Sequence, residues 1–223
     1  MEAIESILKN HSGRDRVIRT VSYAALYLSG ITQGNISRKL KIVSSELSQC
    51  RTVLRLFDDL PMLKVSLSYG LGKEERDKLL RLLGVLTNIA DQLYYPSEHI
   101  SWASTKGIIS VDQSFWTTLG TSLWGWSLFF GVAGCLRILV ILRKEKQLLL
   151  KQCEKEIREA YHLIEHQQLF HTIALIKYIA DLTNAINWLP RGFLWAGKLK
   201  TWEVGLLGML SSVLSLILYL RNT

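Results

Sequence analysis

Two long runs without a single charged residue constrain this chain more than any other feature of its sequence. One covers residues 115–136 and the other covers residues 204–220. A helix that crosses the hydrocarbon core of a bilayer needs about 20 mainly apolar residues, with about 17 at the lower end. The two runs therefore predict two transmembrane helices. For each run the alternative is a helix buried in the core of a soluble bundle.

Aromatic residues stand near the ends of these runs. Trp116, Trp124 and Trp126 cluster toward the start of the first run, and Trp202 and Tyr219 bracket the second. Indole and phenol rings favour the headgroup level of a membrane, because one part of each ring is apolar and the other can hydrogen-bond. Their placement favours the membrane interpretation.

Both runs also carry small residues at helical spacing. Small residues three or four positions apart allow two helices to approach closely in lipid. We therefore predict helix pairing, within one chain or between chains, at Gly131, Gly134, Gly205 and Gly208. The alternative is the ordinary composition of spanning helices, which is also rich in glycine.

The overall charge is consistent with a membrane surface. The 223 residues carry a formal net charge of +8 at pH 7, although 48% of them are hydrophobic. A basic excess suits either nucleic acid or an anionic membrane. A soluble nucleic-acid binder has no need of long uncharged runs, so we expect membrane lipid and no nucleic acid as a partner.

An amphipathic segment precedes the first run. Its apolar residues alternate steps of four and three, which places them on one helical face. This apolar stripe consists of Ile36, Leu40, Val43, Leu47, Cys50, Leu54 and Phe57. A polar rim beside it consists of Lys41, Ser44, Ser48, Arg51 and Arg55.

The stripe and rim predict a helix that lies on a membrane surface, with Lys41, Arg51 and Arg55 directed toward anionic headgroups. The alternative, equally compatible with the periodicity, is a helix that buries its stripe in a bundle.

The remaining sequence is also helical in pattern, and no alternating strand pattern of any length occurs. A helix is predicted over residues 73–95 and is expected to end at Pro96, and a long charged helix is predicted over residues 143–189. The fold class is therefore all-α, with an amphipathic helical N-terminal region and two transmembrane helices in the C-terminal half joined by a long charged helix.

The predicted division is 1–112 (membrane-surface region), 113–142 (first transmembrane helix), 143–200 (connecting helix and interfacial segment) and 201–223 (second transmembrane helix with a short tail).

A short repeat within the sequence suggests that one part of the chain is a duplicate of another. The tripeptide Ile89-Ala90-Asp91 recurs as Ile179-Ala180-Asp181, and each copy is followed by a Trp-Ala pair and then by an apolar run.

Signs of catalysis are weak. His162, Glu165 and His166 match the His-x-x-Glu-His pattern of some zinc proteases. A zinc site also needs a third ligand and a cleft, and the pattern lies in a charged segment typical of a solvated face. We expect no catalytic residue, no metal and no cofactor.

Several stretches, spread in order over nearly the whole chain, resemble the peroxisomal biogenesis factor 11 family, most closely its gamma form. They are Gly-Arg-Asp-Arg (13–16) with Arg19 and Tyr23, Leu-Ser-Gln-Cys-Arg-Thr-Val-Leu-Arg-Leu-Phe-Asp-Asp-Leu (47–60), Ala-Asp-Gln-Leu-Tyr-Tyr-Pro (90–96), Trp-Leu-Pro-Arg-Gly (188–192) and Leu-Trp-Ala-Gly (194–197).

The resemblance implies a multi-pass protein of the peroxisomal membrane that is not an enzyme. It would promote the elongation, proliferation and fission of peroxisomes through insertion of an amphipathic helix and through self-association. The family's curvature helix corresponds to the stretch that holds Arg51, Leu54, Arg55 and Phe57. The implied partners are further copies, other family members, fission adaptors and a dynamin-related GTPase. The alternatives are an oligomeric metabolite pore and an adaptor that does not insert.

Overall fold

The computed structural model describes residues 9–150 and 157–222, and within these ranges every regular element is a helix. The all-α prediction is confirmed. The helices are α1 (His11–Ile31), α2 (Gly34–Arg55), α3 (Asp59–Tyr69), α4 (Lys78–Thr105), α5 (Gln113–Leu149), α6 (Ile157–Asn187) and α7 (Thr201–Asn222).

Two aspartates define where the central helices begin. Asp77 accepts hydrogen bonds from the backbone N–H groups of Leu79 and Leu80 at 3.1 and 3.0 Å. Asp112 accepts one from the N–H of Ser114 at 2.9 Å. A side-chain oxygen at this position satisfies N–H groups that the first helical turn leaves without partners.

The prediction that Pro96 ends its helix is wrong, because α4 continues through it to Thr105. Proline has no backbone N–H and so removes one helical hydrogen bond. The next turn is held by other groups. Ser97 donates its hydroxyl to the carbonyl of Leu93 at 2.8 Å, and Tyr94 donates its hydroxyl to Glu98 at 2.7 Å.

The helices pack in the order α3, α4, α5, α6, α7, α1, α2, each against the next. Successive contacts show that neighbours run antiparallel. Along α1 and α7, for example, Gly30 lies against Trp202, whereas Asn10 at the other end binds Tyr219. The ion pair between Arg55 and Glu98 joins α2, at one end of the row, to α4, the second helix from the other end.

Two helices, α5 and α7, are long and apolar enough to cross a membrane. In their most apolar stretches only 17% and 33% of the residues, respectively, are buried inside the protein. Such outward-facing apolar surface is typical of helices that meet lipid and not of the core of a soluble bundle.

The charged helix predicted over residues 143–189 falls on two helices. Residues 143–149 continue α5, and α6 spans Ile157–Asn187. Residues 151–156 of that prediction lie outside the described residues. Between α6 and α7 the chain forms turns, in which the N–H of Leu199 donates to Asn187 Oδ1 at 3.0 Å.

Glycines set the distance between α1 and α7. A Cβ added to Gly205 would lie 2.5 Å from the Cα of Tyr27, and one added to Gly208 would overlap the Tyr23 ring. The backbones of α1 and α7 therefore approach so closely that a side chain at Gly205 would not fit between them.

We predict that Gly205→Ala lowers the Tm of the purified chain by roughly 3–10 °C, because the new methyl group forces α1 away from α7. The matched control is Gly134→Ala, since a Cβ there meets nothing within 4 Å. Thermal unfolding followed by circular dichroism in detergent measures both variants. Equal Tm values for Gly205→Ala and the unaltered chain would contradict the close contact.

Candidate functional site

Three residues of the polar rim of α2, Ser44, Arg51 and Arg55, contact other helices, whereas Lys41 and Ser48 are exposed. Ser22 donates its hydroxyl to the carbonyl of Ser44 at 2.9 Å, and Ser37 donates to the carbonyl of Ser29 at 2.7 Å. Ser44 is the buried residue of α2. Hydroxyl groups therefore link α1 and α2 at two points along their length.

Two of the predicted headgroup-binding cations are engaged within the protein. Arg51 donates to both carboxylate oxygens of Asp15, at 2.7 and 3.1 Å. Arg55 makes a similar two-bond contact with Glu98, in which its Nε lies 3.0 Å from Oε2. Lys41, the third predicted cation, is exposed, as are Arg38 and Lys39.

Arg51 also determines the charge state of its partner. Burial alone would raise the pKa of Asp15, but the hydrogen bond and the positive charge of Arg51 outweigh it. The pKa of Asp15 therefore lies below its usual value of 3.8.

The apolar stripe of α2 is partly exposed. Ile36, Val43 and Phe57 are 63%, 45% and 77% exposed. Leu40, Leu47 and Leu54 are half-buried, and Cys50 is exposed. Part of the stripe therefore lies on the outer surface, beside the face of α2 that contacts α1.

Helix α3 extends this outward apolar surface, and the sequence interpretation missed it. Leu60 and Leu67 are 76% and 73% exposed, and α3 contains no buried residue. The composition of residues 59–69 could have revealed this surface, because the segment is apolar on all sides apart from Asp59, Lys64 and two serines.

The four predicted pairing glycines divide into two groups. Gly205 and Gly208 contact α1, and Gly131 lies against the Tyr178 ring of α6, where an added Cβ would be 3.0 Å from a ring carbon. Gly134 faces open space. Three of the four glycines therefore meet helices of the same chain.

A buried polar cluster joins α1, α6 and α7. Arg19 Nη2 lies 2.5 Å from Asp181 Oδ1 and 3.0 Å from the Ser211 hydroxyl, which itself donates to Asp181. Asp181 is 2% exposed and Ser211 is fully buried. The sequence interpretation did not single out this cluster, although Asp181 belongs to the repeated tripeptide.

A cavity of about 940 Å³ lies where α2 crosses α4 and α5. Much of its wall is aromatic, formed by Tyr94, Tyr95, Trp102, Trp116, Trp124 and Trp188. Asp91 also lines the cavity, and burial raises the pKa of its carboxyl group. Burial, together with the charges of Asp58 and Asp91, raises the pKa of Tyr95 to about 12.

The His-x-x-Glu-His pattern does not form a cluster of ligands. His162 is largely exposed, and Glu165 accepts a hydrogen bond from Lys146 at 2.9 Å. In the described ranges no group of three or more His, Cys, Asp or Glu side chains is placed to hold a metal ion.

We predict that Arg51→Gln destabilises the chain by about 2 kcal/mol, because it leaves a largely buried carboxylate without its cation. The control is Arg38→Gln, which removes an exposed arginine from the same helix. Thermal unfolding at pH 7 compares the two variants, and an equal loss in both would show that the ion pair contributes nothing.

The pH dependence of Asp15→Asn gives a second test of this pair. A carboxylate whose pKa is lowered by folding stabilises the protein above its unfolded pKa, and the stabilisation is lost as the pH falls through the folded pKa. The difference in Tm between Asp15→Asn and the unaltered chain is therefore expected to be largest near pH 7 and to shrink below about pH 4. A difference independent of pH would exclude the charged form of Asp15 as its source.

Comparison with known proteins identifies relatives of the whole chain. The family model described as peroxisomal biogenesis factor 11 matches residues 1–220. Peroxisomal membrane protein 11C of Homo sapiens is 41% identical over 223 residues, which cover 97% of this chain and 92% of that protein. The protein of the same name from Mus musculus is 40% identical over 222 residues, or 96% and 92% of the two chains. No solved structure matches.

Proposed function

Since this chain belongs to the peroxisomal biogenesis factor 11 family, we propose that it bends the peroxisomal membrane by inserting the apolar stripe of α2 into one leaflet. It is a peroxisomal membrane protein of a non-enzymatic family, and membership implies a role in peroxisome biogenesis and proliferation. The insertion mechanism is the proposed part.

The observation that carries the proposal is the orientation of α2. Its rim is held against α1 by the Ser22–Ser44 contact and by the Asp15–Arg51 ion pair, whereas Ile36, Val43 and Phe57 face outward. Apolar side chains that point away from the protein gain free energy on entering lipid, at about 25 cal/mol per Å² removed from water. Helix α2 can therefore meet lipid without leaving α1.

Exposed basic residues would hold the inserted helix near the headgroups. Arg38, Lys39 and Lys41 lie in the first half of α2 and are exposed, in contrast to the paired Arg51 and Arg55. Each basic residue near an anionic surface contributes about 1 kcal/mol. In this arrangement Arg51 and Arg55 position the helix, and the three exposed cations attract lipid.

Helix α3 would enlarge the inserted surface. It follows α2 after a short connection and exposes Leu60 and Leu67. Material inserted shallowly into one leaflet expands that leaflet relative to the other and so bends the membrane. The candidate spans α5 and α7 would anchor the protein while this occurs.

Association of several copies would concentrate the effect, and Gly134 offers one place for it. The other three pairing glycines meet helices of the same chain, whereas Gly134 is open. Self-association, hetero-oligomers with family members, and recruitment of fission adaptors and a dynamin-related GTPase belong to this proposal.

We predict that Val43→Glu reduces the deformation of vesicles several-fold, because a carboxylate at the centre of the stripe opposes insertion. The full chain is reconstituted into vesicles that contain anionic phospholipid, and the fraction of tubulated vesicles is counted by electron microscopy. The matched control is Ser45→Glu, which places the same charge at an exposed position on the opposite side of α2.

Equal tubulation by Val43→Glu and Ser45→Glu would contradict insertion and would favour an adaptor that only recruits other proteins. Vesicles that stay round with the unaltered chain, together with steady currents across planar bilayers, would favour the metabolite pore.

A further inference from the structure

The cavity between α2, α4 and α5 has the dimensions of a ligand site. Its volume of about 940 Å³ lies in the upper range for pockets that bind small molecules. Nothing in the proposed membrane insertion uses this cavity, because the apolar stripe of α2 acts from the outer surface of the protein.

The charges around the cavity are mostly neutralised in pairs. Arg51 is paired with Asp15, Arg55 with Glu98, and Arg19 with Asp181. Lys106 is the fourth cation of the lining; it is exposed, and its ammonium group lies 3.5 Å from Gln49 Oε1. A negatively charged ligand that drew on the other three cations would have to break one of these pairs, and breaking a largely buried pair is costly.

Two carboxylates of the lining lie outside these pairs, the exposed Glu46 and the half-buried Asp91. Asp91 forms no ion pair within the described part of the chain, where its neighbour is the hydroxyl of Ser127. When the lining residues and their ion-pair partners are counted together, the cavity is surrounded by five acidic and four basic groups. The acidic groups are Asp15, Glu46, Asp91, Glu98 and Asp181. The basic groups are Arg19, Arg51, Arg55 and Lys106.

Aromatic rings line the cavity together with Asp91. Trp124 stands three residues before Ser127 on α5, so the two lie on one helical face. Trp124 stacks on Trp188, with ring centroids 5.6 Å apart and planes inclined by 22°. Tyr95 lies one turn along α4 from Asp91 and is close enough for the two charges to interact.

We propose that this cavity binds a quaternary ammonium group, held by the carboxylate of Asp91 and the ring faces of Trp124, Trp188 and Tyr95. Aromatic rings attract a cation through the negative charge of their faces, and alkylated ammonium groups are suited to such sites because their methyl groups also need apolar contact. The carboxylate supplies the opposite charge that the group lacks inside the cavity.

This chemistry has two sources, the choline headgroup of a membrane phospholipid and a free choline-type solute. The test uses the full chain purified in an uncharged detergent and follows its tryptophan fluorescence. Separate titrations use tetramethylammonium, choline, a short-chain phosphatidylcholine and inorganic phosphate, each at constant ionic strength.

The expected result is a saturable fluorescence change with the quaternary ammonium probes and none with inorganic phosphate. Saturation by choline and tetramethylammonium would identify a solute site. Saturation by the phosphatidylcholine alone would identify a lipid headgroup site. Both outcomes support recognition of the ammonium group.

The variant Asp91→Asn keeps the shape of the side chain and removes its charge, so it is expected to weaken binding about tenfold or more. Asp112→Asn is the matched control, because it makes the same chemical change outside the cavity and asparagine can also cap α5. If Asp91→Asn does not yield folded protein, Trp124→Leu is titrated in the same way and is likewise expected to bind the ammonium probes more weakly. No saturable signal with any ammonium probe, or equal affinity of the variants and the unaltered chain, would overturn the proposal.

Discussion

The contact of Arg19 with Asp181 and Ser211 is the interaction on which the rest of the structure depends. A charge withdrawn from water is tolerated only when it is paired and hydrogen-bonded, because its desolvation otherwise costs several kcal/mol. Arg19 lies on α1, Asp181 on α6 and Ser211 in the middle of the candidate span α7. The cluster therefore favours the observed arrangement of these three helices, in which α1 also lies close to Gly205 and Gly208.

Fixing α1 in turn fixes the direction in which α2 faces. On α1, the hydroxyl of Ser22 and the carboxylate of Asp15 bind Ser44 and Arg51 of the rim. With α2 held in this way, Ile36, Val43 and Phe57 of the stripe remain on the outer surface. Exposed apolar side chains are unfavourable in water and favourable in lipid. The contacts that hold α2 against α1 therefore also leave apolar side chains of α2 free to enter a membrane.

The repeated Ile-Ala-Asp tripeptide has corresponding surroundings in its two copies. Ala90 and Ala180 are both buried, at 5% and 3% exposure, and each following aspartate lies beside a serine of the next apolar helix. The copies differ in charge compensation. Asp181 is neutralised by Arg19, whereas Asp91 faces the cavity without such a partner, which leaves one copy structural and the other open to a ligand.

The sequence by itself determined the helical class, the two apolar helices and the alternation of α2, because these depend on the composition and periodicity of neighbouring residues. It also carried the family resemblance, which the match over residues 1–220 confirms. Only the tertiary structure decided that α4 continues through Pro96, that Arg51 and Arg55 are paired with Asp15 and Glu98, and that Arg19 meets Asp181. These partners are separated by 36 to 162 positions in the chain, and periodicity carries no information about which distant helices meet. For the same reason the cavity could not be foreseen, since its walls come from helices that are brought together only by folding.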